Sequence, residues 1–275
     1  MQDKLQTYYI VKEHPMRIIT KCKRHSKGTL MSFLIGVCII YVMLNWIPEL
    51  LSLVFPVSNV DILSRMDGVD VQLLNRLPRM SLVAYFYALF FSGVFRLGEA
   101  LYTLTYIRNK KVEYRAITEA MGLYLKCFGV FLLEVIIIAF WSFFLIIPGI
   151  IASINFSQAF YILADDPSKG VTQVLAESKM MMVGNRMSYV RLILYYLPYI
   201  MLAYVPSFIL ADISLSMSLT GLPLTIIGML AEIPVFAANG YMCLGRAVFY
   251  ELMINEGFAY FKYAGQDAFR ELEHR

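Results

Sequence analysis

Charge is what this sequence has least of. Asp, Glu, Lys and Arg make up 16% of its 275 residues, while apolar residues make up 59%. Soluble domains carry about 25% charged residues, because water faces them along their whole length. Here the charges avoid several stretches of about 20 residues, which excludes a water-facing surface throughout and fits a chain that faces lipid. Cysteine is also scarce. Cys22, Cys38, Cys127 and Cys243 lie far apart with no CxxC spacing, which excludes a disulfide framework and a thiolate zinc site. His14, His25 and His274 stand in polar segments without ligand spacing, so no metal and no cofactor are expected. GxSxG, HExxH and GxxxxGK[ST] are all missing, and no Ser/His or Cys/His constellation replaces them, so the expectation is a protein that is not an enzyme. The polar, basic start lacks an early apolar core followed by a cleavage site. A net charge of +4 is too small to point to nucleic acid.

What is present is a series of apolar runs. Six spans are predicted: Leu30–Phe55, Met80–Ile107, Leu123–Ile147, Ile150–Leu163, Met187–Leu210 and Leu222–Met253. The fold class is therefore an all-α polytopic transmembrane helix bundle. Residues 1–29 form a basic lead-in, 30–253 the six-span domain and 254–275 a polar tail. Trp46 anchors the far end of the first span, and Pro48, Pro198 and Pro206 are expected kinks. Two segments outside the spans are amphipathic. In the lead-in, Ile10, Ile18, Ile19 and Cys22 interleave with Arg17, Lys21, Lys23 and Arg24, which suits either a helix on the membrane surface or a basic tail. In Ser168–Gly184, Val171, Val174 and Leu175 share a helical face. Ser168 is in position to cap that helix, with no Glu or Gln to complete a box.

The Lys and Arg residues alternate by side. Seven precede Leu30, five lie from Arg108 to Lys126, and three lie from Lys169 to Arg186, while the inner end of the last span and the tail add Arg246, Lys262, Arg270 and Arg275. The polar loop Pro56–Arg79, whose Leu63, Val69, Val71, Leu73 and Leu74 suit a short interfacial helix, has three, offset by acids, and the connectors at Pro148-Gly149 and Asp212–Gly221 have none. The excess of positive residues in cytoplasmic loops places both termini in the cytoplasm. The return arm Ile150–Leu163 is the geometric difficulty, since 14 residues reach only ~21 Å of a ~30 Å hydrocarbon core. It either crosses with help from its neighbours or re-enters, and the charge count favours crossing.

That arm belongs to a patterned block. Phe143–Pro167 reads FFLIIPGIIASINFSQAFYILADDP, and ESKMMMVGN follows at Glu177–Asn185. Pro148-Gly149, the corner Tyr161–Asp165 with Pro167, and Ser178, Met182, Gly184 and Asn185 resemble the motifs of the bacterial integral membrane proteins grouped as domain-of-unknown-function family 975. The closing AVFYELM, Ala247–Met253, is similar to that family's end. The resemblance implies a membrane protein of mainly Gram-positive bacteria, placed in the cytoplasmic membrane. It implies no reaction.

The candidate functional residues are the polar groups inside spans, because a charge in lipid is costly unless paired or hydrated. They are Arg96, Glu99, Glu134 and Glu232, with Asn155, Gln158 and Asn239. Arg96 and Glu99 are three apart on one helix and can pair directly, and Glu134 and Glu232 are expected to face Arg96. Such a cluster serves either as interhelical glue or as a proton or solute path. Asp165-Asp166 before Pro167 is read as a turn or helix cap. Two functions remain open. One is a non-enzymatic scaffold acting through the lipid bilayer or a membrane-protein partner. The other is a permease or exporter component for a small solute or peptide, linked to protection against membrane-active peptides.

Overall fold

The computed structural model describes residues 9–55, 81–217 and 222–255. The expected helix in the loop Pro56–Arg79, the tail 256–275 with its basic residues, and the first eight residues lie outside these.

Helix α1, Pro15–His25, begins with Pro at its first position and His14 Nδ1 accepting from the Met16 N–H at 3.3 Å. Pro15, Ile18, Cys22 and His25 are buried at helical spacing. Within the lead-in Pro15–His25 is thus helical, but its apolar face packs on the bundle rather than lying on lipid. Met16, Arg17, Lys23 and Arg24 remain outward. Ahead of it the chain is extended and stitched on both sides. The Tyr9 N–H donates to Met253 O at 3.0 Å, the Val11 N–H donates to Asn185 Oδ1 at 2.8 Å, and Ser188 Oγ donates to Val11 O at 3.0 Å.

Helix α2, Leu30–Val54, passes through a π-helical turn at Val42–Trp46. Pro48 has no N–H for the Leu44 carbonyl, and the wider turn absorbs the mismatch. Helix α3, Leu82–Asn109, starts on Ser81 and stops at Lys110, whose φ of 54° is left-handed. Helix α4, Tyr124–Phe144, runs out along the first arm of a hairpin.

The hairpin corrects one sequence expectation. The chain turns at Leu145, which is extended at φ −157°, ψ 141°, and the return helix α5, Ile146–Phe156, already contains Pro148-Gly149. Proline suits a first helical turn, where its missing N–H has no partner to lose. Gly149 is there for contact, since a Cβ on it would lie 2.0 Å from Ser142 Oγ. Starting at Ile146 lengthens the arm to Asp165, 20 residues or about 30 Å, so it is not short.

The arm is broken instead. Ser157 and Gln158 interrupt it before α6, Ala159–Asp165. Helix α7, Val171–Met181, has Gly170 rather than Ser168 as its cap residue, and Gln173 Oε1 accepts the Gly170 N–H at 3.0 Å. Ser168 N–H and Oγ donate to Asp166 Oδ1, so Asp166 makes the turn. Hydrogen bonding to Ser168 holds this carboxyl below the usual carboxylate range. Helix α8, Arg186–Ala203, keeps Pro198 inside. A break at Tyr204 follows, and α9, Val205–Met217, carries Pro206 in its first turn. Residues 212–217, expected in a connector, are thus helical. Helix α10, Leu222–Ala231, and α11, Ile233–Ile254, complete the bundle.

Five helical segments are long and apolar enough to cross a membrane: Leu30–Val54, Leu82–Asn109, Arg115–Phe144, Ile146–Asp165 and Arg186–Leu210. Thr225–Ala231 with Ile233–Ile254, bent by 44°, makes a sixth if the pair is one span. The return arm is the most enclosed of them, and the others expose large apolar side chains such as Ile35, Phe86, Phe140 and Leu194. At one end Arg108 ties three helices together. Its Nε donates to Glu251 Oε1 at 2.6 Å, its Nη2 donates to Asp165 Oδ2 at 3.0 Å, and Tyr250 OH donates to the same oxygen at 2.9 Å. Asp165 is therefore a tertiary anchor rather than a cap.

Candidate functional site

The break in the return arm organises the polar interior. In a straight helix Asn155 O would accept the N–H of Ala159, and Gln158 N–H would donate to Ile154 O. Here Ile154 O takes the Ser157 N–H and hydroxyl instead, at 3.3 and 2.8 Å. Buried backbone groups without partners are costly, more so in lipid. Ser178 of α7 supplies both: its Oγ donates to Asn155 O at 2.7 Å and accepts the Gln158 N–H at 3.3 Å. Arg186 Nε donates to Asn155 Oδ1 at 2.7 Å. Asn155, Gln158, Ser178 and Arg186 thus form one knot on the α7 side of the break.

On its other side the break opens into a cavity of about 340 Å³. Every one of the six apolar segments contributes to its wall: Leu44, Arg96 and Glu99, Glu134, Ser153 and Ser157, Tyr189, and Arg246. Arg96 Nη1 donates to Glu134 Oε2 at 3.2 Å. Its guanidinium also stands over the rings of Phe131 and Phe160, 5.3 and 5.9 Å from their centroids. Glu99 pairs with Arg246 of α11, not with Arg96 three residues away. Each charge of α3 thus has its partner on another helix, with the carboxylates more covered than Arg96.

The depth of these groups follows from helix rise. Arg96 is twelve residues from Arg108, about 18 Å along the axis, and Glu134 is eight residues from Lys126, about 12 Å. Both positions are well inside a hydrocarbon layer of about 30 Å. Two polar atoms on the cavity wall are buried without hydrogen-bond partners among the described residues: Tyr161 OH and Arg246 Nε. Tyr161 is only 4% exposed, and its ring stacks on Tyr250 at 5.3 Å.

A second cavity of about 180 Å³ adjoins the first, and Leu44, Glu99 and Arg246 line both. Its other wall carries Tyr41, Asn45, Tyr204 and Asn239. Glu232 does not face Arg96. It accepts from Trp46 Nε1 at 2.9 Å and from Tyr41 OH at 3.2 Å, at the start of α11. The bend between α10 and α11 turns it toward α2, fourteen residues from Arg246.

Of the sequence-derived candidates, Arg96, Glu99 and Glu134 line the main cavity. Asn155 and Gln158 lie behind it at the break. Asn239 faces the second cavity, and Glu232 lies beyond that. Arg246 was read as a residue at the inner end of its span, although apolar residues flank it on both sides in CLGRAVF, Cys243–Phe249. Tyr161 carries no signal in sequence that separates it from an apolar ring. Among the described residues no three His, Cys, Asp or Glu side chains gather as metal ligands.

The motif block can now be set beside known proteins. Residues 143–256 match the family described as Protein of unknown function (DUF975). This region is a DUF975 region. It contains the hairpin return, the break, Ser178, Asn185 and Arg246, while Arg96, Glu99 and Glu134 lie ahead of it. No curated protein and no solved structure matches the chain.

Proposed function

We propose that this protein is a permease or exporter component that takes a small polar solute into the charged cavity between its spans. The observation that carries this reading is convergence: all six apolar segments line one space with two carboxylates and two guanidiniums. Residues serving only as glue between neighbouring helices need no common cavity. Tyr161 OH and Arg246 Nε, both unpartnered, supply groups that a solute or its water can satisfy. No covalent bond is made or broken in this reading. The gathering of Arg108, Lys110, Lys126 and Lys169 around one end supports an orientation with that end and both termini in the cytoplasm of a bacterium.

The test is reconstitution into vesicles with uptake of small labelled solutes, neutral, anionic, cationic and zwitterionic. The expected result is saturable flux of one class, lost in Glu134→Gln and kept in Glu119→Gln, which alters an exposed helical pair. Flux of none of them above empty vesicles would refute the reading.

A scaffold role has one specific observation behind it. Met16, Arg17, Lys23 and Arg24 form an outward basic face on α1, beside the stitched N-terminal segment. Crosslinking from Lys23 to a reproducible partner, lost on its replacement by Glu, is the outcome that favours that alternative.

A further inference from the structure

We infer that the ligand of the central cavity is a small zwitterion, held by exchange with the Glu99–Arg246 ion pair. This rests on the cavity being a binding site, as proposed above, and adds the class of ligand. The pair forms the shared wall of the two cavities, together with Leu44. Anything that moves between them, or spans both, has to part it. Parting this half-buried ion pair leaves two uncompensated charges where little water reaches them, which is unfavourable at low dielectric. An anion would satisfy Arg246 and strand Glu99, and a cation would do the reverse. A neutral solute satisfies neither charge. A molecule carrying a carboxylate or phosphate and an ammonium replaces both partners at once, so the number of paired charges does not fall.

The surroundings fit that exchange. The second pair, Arg96–Glu134, keeps the cavity balanced, with two positive and two negative side chains on its wall. No net field therefore selects a singly charged ion. Arg246 Nε and Tyr161 OH are the unpartnered groups beside the pair, and both can donate to an incoming anionic oxygen. The combined space is amino-acid sized rather than large enough for a folded or extended peptide of many residues.

Free solutes and lipid headgroups can both present this chemistry. The experiment uses the full chain in nanodiscs of phosphatidylglycerol, whose headgroup carries no ammonium, and reads thermal stabilisation on titration. The probes are glycine, alanine and glycylglycine, each beside its N-acetyl derivative (an anion) and its methyl ester (a cation). A parallel series replaces part of the phosphatidylglycerol with phosphatidylethanolamine. The expected result is a zwitterion, free or as the ethanolamine headgroup, that binds at least tenfold more tightly than its singly charged derivatives. In Glu99→Gln that preference should vanish, with the N-acetyl form matching its parent, and Glu99→Asp should restore it if Gln fails to fold. Binding of a singly charged or neutral probe without a zwitterion would overturn the inference and leave the binding reading standing. Stabilisation by no probe in either membrane would overturn both.

Discussion

Asn185 provides the sharpest quantitative test of the fold, because one side chain holds a whole segment by its backbone. Its Oδ1 accepts the Val11 N–H at 2.8 Å, and its Nδ2 donates to Tyr9 O at 3.1 Å and to Met181 O at 2.9 Å. The residue is 1% exposed, so water does not replace these partners. Two of the three bonds hold the extended segment. Other holds on it include Tyr9 N–H to Met253 O, Ser188 Oγ to Val11 O and the ion pair of Glu13 with Lys21. At about 1 kcal/mol net per bond, Asn185→Ala lowers the cost of opening this segment by about 2 kcal/mol. That corresponds to a population of the open form about thirty times larger. Lys12 is exposed in the segment, and Arg17 follows on α1, so trypsin digestion in detergent reads the opening directly. Cleavage there should accelerate by about that factor, with cleavage elsewhere unchanged. Asn185→Asp is the control with the same shape. It keeps an acceptor for Val11 but sets a carboxylate oxygen against two carbonyls, so it should open at least as much as Ala. A cleavage rate equal to wild type in both variants would refute the clamp.

Ser178→Ala strips both partners from the helix break and should cost about 1–3 kcal/mol, read as a lower midpoint of thermal unfolding in detergent, while Ser178→Thr keeps the hydroxyl and most of the stability. Gly149→Ala forces a Cβ against Ser142 and should cost about 1–3 kcal/mol. Adding Ser142→Ala removes the contact at 2.0 Å but leaves the one with Cβ at 2.9 Å, so the double variant should recover only part of the loss. His25 gives a pH dependence. Burial, with nearby Lys110 adding to it, pushes the ring below its ordinary value of 6.5, while the Tyr106 carbonyl opposes the shift. The folded state then binds fewer protons than the unfolded chain, so this contribution is intact above about pH 6.5 and is lost as pH falls through the lower folded value. His25→Gln should flatten the fall in unfolding midpoint between about pH 7 and 5.

Sequence carried the fold further than the site, for a physical reason. Lipid imposes length and apolarity on each span, and both are readable one residue at a time. The same rule flagged Arg96, Glu99 and Glu134, since charge at that depth needs compensation. Which charge compensates which is a matter of rotation and tilt, and neither is written locally. Arg96 and Glu99 are neighbours in sequence, yet each pairs with a different helix. Glu232 was displaced from the cluster by the bend ahead of α11. Arg246 was missed by assigning it to the end of its span. Pro148-Gly149 misled for a different reason. The pair is a turn signal in water-facing chains, whereas a first helical turn tolerates proline equally well, and Gly149 answers to Ser142 rather than to backbone strain.

The motif residues and the charged cavity meet at the same two positions, Ser157 and Gln158. A continuous return helix would present only side chains to its neighbours and would satisfy its own backbone. Breaking it frees Asn155 O and Gln158 N–H on one side, where Ser178 takes both. On the other side it lets Ser153 and Ser157 face the charges of α3 and α4. The polar interior thus depends on α7, an element outside the spans, folding back against the break. Any displacement of α7 withdraws Ser178 and exposes two backbone groups beside the cavity, at a cost of about 1–3 kcal/mol each. Restraining α7 should therefore rigidify the cavity. A disulfide or crosslink that holds α7 against α5 should slow exchange of solute without touching Arg96, Glu99, Glu134 or Arg246. If flux is unchanged by such a restraint, the break is a fixed structural feature and plays no part in access.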